Sequence, residues 1–598
     1  MTDTFRKILG LLNVRERRDF WLLTLLMAGV AIAEVGSVSA VLLLLNALSD
    51  PATLVSNRML GVVGGWFGVT TQQGLQILLA SIVTAVVVAG LAVKAMGSYA
   101  VTRFAYMRTH SISTRMLGAY LRQPYGWFLE RNSAEVGKNV LSEVDGVVSR
   151  VIFPLVKMMA NCLLVLCIVG FLMLVDPLVT LLSAGLLGGS YAVIYLLLRG
   201  RIRRTGEDMM AAYEDRFRIA QEATGGIKDV KLMALEAEYT GRYSAAAHRS
   251  ALSTMRTLVM GEMPRYALEA ITFGTLLVMV LVLLVRNDGQ IAAIIPTLGI
   301  FALSVMRLLP ALQQIYYGLS SIRSATAIVD ALAADYAAAP VAEMQGAETA
   351  QPRLQLDRRL ELRDISFRYP SAKKPALSGL TLAIDGRTTI GFVGGTGAGK
   401  TTLVDLVLGL LTPDRGELVV DGTPITADNI RRWQKSLGYV PQAIYLTDDT
   451  IAANIAFGLP RDRIDMAAVE RAARAAALHD FVRDLPDGYE TRVGERGVRL
   501  SGGQRQRIGI ARALYGTPSL LIMDEATSAL DNITERVVME AVQNLRSDTT
   551  IILIAHRLTT VRGCDRIYLL EKGKVAASGT YDELVAGNAT FRAMAVGE

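Results

Sequence analysis

Residues 394–402, GGTGAGKTT, set four glycines, a lysine and threonine hydroxyls in the spacing of a phosphate-binding loop. Gly394, Gly395, Thr396, Gly397, Ala398 and Gly399 allow successive backbone N–H groups to turn toward phosphate oxygens. A helix opening at Lys400 adds the partial positive charge of its N-terminus. Lys400 is expected to pair with the β- and γ-phosphates of ATP. The Thr401 hydroxyl is expected to ligate Mg2+, with Thr402 beside it at the helix start. The β-like run TTIGFV before the loop and the helical TLVDLVLGLL after it supply the context such a loop requires. In LLIMDEATSALD, residues 520–531, an apolar strand ends in two acids. Asp524 suits the Mg2+ shell, and Glu525 suits polarisation of an attacking water. Ser501, Gly502, Gly503 and Gln504 of LSGGQRQR open a further helix and form a second anion cradle.

The elements that carry these residues fill only part of the chain. A length of 598 residues is too great for one domain. Apolar residues reach 52% and mean hydropathy is +0.36, but the long apolar runs all lie in residues 1–325. Residues 358–598 read as a soluble α/β nucleotide-binding domain, and 326–357, rich in alanine and then in proline, glycine and glutamine, as a linker. The net charge of +7 does not indicate nucleic acid, because the basic residues cluster beside the apolar runs. Three cysteines cannot form a disulfide framework; Cys162 and Cys167 sit in an apolar helix as packing residues. MTDTFRKILGLLNVRERRDF has no signal-peptide h-region with a cleavage site, so the first apolar run is expected to remain as a span.

Six apolar runs have lengths suited to crossing a bilayer, at about 20–48, 75–107, 150–175, 178–199, 262–285 and 291–316, the last interrupted by Pro296. Arginine and lysine crowd the N-terminus and the segments between spans two and three and between four and five. The positive-inside rule therefore places both ends of this all-α membrane domain, and the ATP site, in the cytoplasm. Both long cytoplasmic segments read as helices, with breaks at Gln123–Pro124 and Gly225–Gly226. In the first outer loop, Leu60, Val63, Trp66 and Phe67 suit a short interfacial helix.

Together the phosphate loop, Asp524–Glu525 and LSGGQ resemble the ATP-binding cassette (ABC) family, and the resemblance covers nearly the whole chain. It implies further roles: Tyr369 in FRYP stacks on adenine, Gln442 in YVPQ reaches Mg2+ and the attacking water, Asp531 forms the D-loop, and His556 in IAHR is the switch histidine. GERG, residues 494–497, matches the cross-talk stretch of exporters. In that family the LSGGQ of one cassette closes over the nucleotide of another. One cassette and six spans per chain therefore imply a homodimeric half-transporter of the exporter type. Coupling helices are expected near Pro124–Arg131 and Gly226–Leu235. AEVGSVSAVLLLLNAL, the outer loop and LRQPYGWFLERNSAEVGKNV are similar to bacterial lipid-linked oligosaccharide flippases, which implies the inner membrane.

The substrate is less legible. Glu34 lies near the centre of the first span, where an isolated charge costs at least ~2.5–3.5 kcal/mol. It faces either a cavity or a partner on another helix. At ~1.5 Å per residue, Lys94, Lys157, Arg265 and Arg307 fall ~24–30 Å from the outer ends of their spans. They either snorkel to the headgroups or form a basic belt for an anionic lipid; Arg265 has a second option in Glu269, four residues on. The rival substrates are drugs, peptides and plain lipids. An ATP-gated channel would need nucleotide binding more than turnover, and Glu525 with His556 argues against it. A soluble DNA-associated cassette is excluded by the six spans.

Overall fold

The computed structural model describes residues 2–338 and 352–596, apart from 50–70, 132, 287–290, 527–531, 544, 546, 547 and 556. Asp531, His556 and the outer-loop residues Leu60, Val63, Trp66 and Phe67 lie outside the described residues. The chain divides into two compact units. The first joins Met1–Gln123 to Arg131–Ala342, and the second joins Pro124–Glu130 to Glu343–Glu598.

The first unit is helical. After α1 (Thr2–Leu11) come α2 (Val14–Ser49) and α3 (Gln72–Leu121). Chain direction breaks at Pro124, and the short helix α4 (Tyr125–Leu129), which belongs to the second unit, follows it. Helical turns from Ser133 then lead into α5 (Phe153–Val175). Asp176 turns the chain within two residues, its carboxylate accepting from Leu178 N and Val179 N at 3.1 and 3.2 Å to cap α6 (Pro177–Gly225). Next come α7 (Ile227–Leu232), α8 (Glu236–Arg286), α9 (Ile291–Ser324) and α10 (Thr326–Ala338).

Among the described residues, six helices are long and apolar enough to cross a membrane. At 50, 49 and 51 residues, α3, α6 and α8 measure roughly 75 Å each, far more than ~30 Å of hydrocarbon requires. Their polar halves are the long segments that the sequence reading expects in the cytoplasm. The expected interruption at Pro296 is absent: α9 remains helical through both Pro296 and Pro310. A proline removes one helix hydrogen bond, but in an apolar span unwinding would expose more backbone groups than it relieves.

Residues 326–338, read as the start of a linker, are instead a helix of the first unit. Ile328, Val329 and Leu332 give α10 a buried stripe that the alanine content conceals. Its acids are also held: Lys7 Nζ lies 2.8 Å from Asp330. Asp335 accepts from Tyr120 Oη at 3.0 Å, Arg131 at 3.1 Å and Asn139 Nδ2 at 2.7 Å. Asn139 opens a π-helical turn, Asn139–Glu143, and a second one spans Val148–Ile152.

The second unit is α/β. β1 (Arg359–Phe367) and β2 (Leu377–Asp385) belong to a four-stranded antiparallel sheet with two later strands, β4 (Arg415–Val420) and β5 (Thr423–Pro424), in the order β2-β1-β4-β5. A six-stranded sheet has the order β10-β9-β3-β8-β7-β6. Its strands are β3 (Thr389–Val393), β6 (Leu437–Val440), β7 (Leu520–Asp524), β8 (Thr550–Ile554), β9 (Arg566–Glu571) and β10 (Lys574–Gly579). β6, β7, β8, β3 and β9 run parallel, and every residue of β3, β7 and β8 is buried. Such continuous apolar strands mark a parallel sheet covered on both faces. The residues expected to meet ATP stand at the carboxyl ends of β3 and β7.

Candidate active site

The phosphate loop leaves β3 at Val393 and enters α11 (Lys400–Val407). Gly399 adopts φ +100°, and a Cβ there would lie 2.9 Å from the Ala376 carbonyl oxygen. A Cβ at Gly394 would collide with the Leu570 carbonyl. Only glycine therefore lets the loop run this close to its neighbours. Lys400 is buried and folds back across the loop, donating to the carbonyls of Gly394 at 2.5 Å and Gly395 at 3.3 Å. Burial lowers its pKa, opposed by the charges of Glu525 and Asp524. Thr401 is exposed at the helix start, while Thr402 is buried with Oγ1 3.1 Å from Tyr369 Oη. Tyr369 meets Phe367 edge-on at 5.0 Å, which orients its ring beside the loop.

Asp524 is buried as the last residue of β7. Glu525 follows with φ +50°, a left-handed turn that no strand continues. Glu525 N donates to Ile554 O at 3.0 Å, and Gln442 Nε2 donates to Glu525 Oε2 at 2.7 Å. The structure thus brings Lys400, Asp524, Glu525 and Gln442 into one polar cluster.

Ser501 caps α12 (Gly502–Tyr515). Its hydroxyl accepts from Gln504 N at 3.2 Å, and the Gln504 side chain accepts from Ser501 N at 2.8 Å. This capping box fixes the entry of Gly502 and Gly503 into the helix. Among the described residues, no hydrogen bond joins Ser501 or Gln504 to residues 394–402 of the same chain. Two residues escaped the sequence reading. Gln506 Nε2 donates to Glu525 O at 3.4 Å, tying the signature helix to the acid's backbone; its position two residues past LSGGQ was the available signal. Asp405 is buried in α11, its carboxyl pushed up to about 6 by burial and then by the Asp524 charge. One acid amid the apolar TLVDLV was the signal there.

In the helical unit, Glu34 is 6% exposed and is met by Lys94 Nζ at 2.6 Å and by Arg307 at 3.7 Å. Counting along the spans sets Glu34 near the bilayer centre and Lys94 and Arg307 at headgroup depth; the ion pairs correct this to one level. Glu34 lies roughly 22 Å from Ser49, and Lys94 roughly 33 Å from Gln72, so α3 starts farther out than α2 ends. Arg265 is apart from this cluster and pairs with Glu269 at 2.8 Å. Lys157 has no ion-pair partner among the described residues, its ammonium lying 5.6 Å from the Phe153 ring centre. Glu34, Lys94 and Lys157 line one cleft with Met27, Val101 and Leu164.

Residues 377–528 match the family model described as "ABC transporter", and residues 39–308 match "ABC transporter transmembrane region". Across 99% of this chain and 95% of the relative, identity is 32% to a protein named "ATP-dependent lipid A-core flippase" from Cupriavidus metallidurans. The chain belongs to the ABC transporter family. A protein of the same name from Cupriavidus pinatubonensis is 32% identical over 80% of each chain. The fold of this ABC transporter is the exporter fold. It overlays a solved structure titled "Structure of a bacterial Atm1-family ABC exporter with ATP bound" with a TM-score of 0.77 at 22% identity, covering 98% of this chain and 99% of the other. This ABC transporter is an integral membrane protein that binds and hydrolyses ATP.

Proposed function

We propose that the protein is a homodimeric flippase of the bacterial inner membrane, moving an anionic, lipid-linked saccharide to the outer leaflet. The observation that carries this reading is the charge cluster in the apolar cleft. Lys94 and Lys157 line the cleft with Glu34, and Arg307, which is not in the lining, reaches the same carboxylate at 3.7 Å; three cations against one carboxylate leave a net of three minus one, or +2. An excess of positive charge beside methionine, valine and leucine side chains suits a phosphate carried on acyl chains. Relatives matched over 99% and 80% of the chain bear a lipid flippase name, which supports the same substrate class. Arg265 joins the proposed contacts if the headgroup draws it from Glu269.

Lys400 and the loop N–H groups hold the β- and γ-phosphates, and Tyr369 packs against the base. Glu525, positioned by Gln442, takes the proton of the attacking water. His556 and Asp531 take the roles implied by their motifs. Asp524, Thr401 and Gln442 offer oxygen donors of three kinds at one end of the sheet, a set that fits Mg2+ with its water and phosphate ligands. When bound, Mg2+ neutralises phosphate charge. The cassette is cytoplasmic, and the separate capping of Ser501–Gln504 from the loop supports a site completed by the second copy's LSGGQ.

Purified protein in nanodiscs should show ATPase stimulated by lipid A and not by phosphatidylethanolamine. Arg265→Ala/Arg307→Ala keeps the Lys94–Glu34 pair and so should fold. Each lost charge-assisted contact costs roughly 1.5–3 kcal/mol, so half-saturation by lipid A should rise at least tenfold. Unchanged stimulation of a double variant with normal melting would remove the belt from the account.

A further inference from the structure

A second, open cleft lies between α5, α6, α8 and α9. Its wall depends on a proline. Pro264 stands inside α8 and has no N–H, so the carbonyl of Met260 four residues earlier loses its helix partner. Tyr316 Oη replaces that partner, donating to Met260 O at 3.1 Å. The ring of Tyr316 is thereby fixed, and two more tyrosines pack on it: Tyr191 at 6.2 Å between centroids and Tyr195 edge-on at 6.3 Å.

Tyr191 lines the cleft and is 8% exposed, yet its hydroxyl has no hydrogen-bond partner among the described residues. A buried hydroxyl is nearly always paired, and one left unpaired beside a cleft is a place for a ligand oxygen. Tyr266 and Tyr317 add exposed rings to the same cleft, and Gln313 and Gln314 add amides that both donate and accept. Lys157, Glu262 and Arg265 also line this cleft; what sets it apart from the first is the tyrosine rings and paired amides beside those charges. Phe153 and Lys157 line both, so the two clefts adjoin.

We propose that the second cleft is a carbohydrate subsite. The C–H faces of a sugar pack on the tyrosine rings, and its hydroxyls exchange hydrogen bonds with Tyr191, Gln313 and Gln314. The assignment rests on the flippase reading above and adds where the saccharide lies relative to the phosphate: on the α8–α9 side of Lys157. Tyrosines at a membrane–water boundary need no ligand, but that reading leaves the Tyr191 hydroxyl and the neighbouring amides without a purpose.

The test uses the free core oligosaccharide released from rough lipopolysaccharide by mild acid, which has no acyl chains. Its binding to the full-length protein in nanodiscs is measured by calorimetry, beside lipid A stimulation of ATPase. Tyr191→Phe keeps the ring and deletes only the hydroxyl; Gln313→Ala removes one amide. Oligosaccharide binding to wild type, weakened at least fivefold by each variant, is the expected result. Absence of binding, or binding that neither variant moves, would overturn the subsite. If the variants melt below wild type, Tyr266→Phe and Tyr266→Leu replace them: the first should retain binding and the second lose it, and equal binding overturns the proposal. Lipid A stimulation without oligosaccharide binding would sink the subsite alone. Oligosaccharide binding without lipid A stimulation would sink the lipid reading instead.

Discussion

At the scale of single residues, the nucleotide site is a set of charges held close together by backbone geometry. Glu525 leaves the strand in a left-handed conformation, and in that geometry its carboxylate accepts from Gln442 Nε2. Asp405 shows what such crowding costs. Its folded pKa of about 6 lies above the ~3.9 of an unfolded aspartate, so the folded state favours the protonated form. The stability it confers is present below pH ~4 and is lost as pH rises through about 6. Each tenfold change in a proton-binding equilibrium is worth about 1.4 kcal/mol, so the loss is roughly 3 kcal/mol. Asp405→Asn should therefore raise the melting temperature of the nucleotide-free protein at pH 8 by more than at pH 5. A difference between variant and wild type that stays constant with pH would contradict the burial of this charge.

At the scale of elements, α10 joins α1, α3 and the π-helical turn at Asn139 through a handful of polar contacts. Lys7 of α1 pairs with Asp330, while Asp335 accepts from Tyr120, Arg131 and Asn139, and its loss would take an acceptor from all three. Asp335→Ala is expected to destabilise the helical unit by about 1–3 kcal/mol. Thermal exposure of the half-buried Cys162 and Cys167 to a thiol-reactive dye would report it, and an unmoved transition would show that the cluster contributes nothing. None of this was legible in the sequence. Residues 326–338 read as linker because alanine masks the stripe of Ile328, Val329 and Leu332, and Tyr120 and Asp335 stand 215 positions apart. The phosphate loop, Asp524–Glu525 and LSGGQ were legible because each acts through contiguous backbone, so spacing alone carries their geometry. Six spans were legible from apolar length. The relative heights of helices were not, because no periodicity within one helix reports where its neighbour begins; hence Glu34 and Lys94 were set at different depths. Pro296 misled for a related reason, since a breaker in water is tolerated in a span.

At the scale of the molecule, helices roughly 75 Å long carry both apolar membrane-suited stretches and polar stretches without interruption. A continuous helix transmits displacement along its length, which is what coupling ATP turnover to a pathway in the bilayer requires. α4 at Pro124 groups with the ATP-binding unit, and there the Tyr125 phenol is raised in pKa by burial and then by the Asp405 charge. The central claim is that hydrolysis directed by Glu525 drives a lipid from one leaflet to the other. Translocation of a fluorescent lipid A across proteoliposomes, compared between wild type and Glu525→Gln at saturating Mg·ATP, tests it most directly. Wild type is expected to translocate the lipid in an ATP-dependent way, and the variant to lose at least a hundredfold of that rate while still binding ATP. Equal translocation by the two proteins, or none by a wild type that hydrolyses ATP, would contradict the claim.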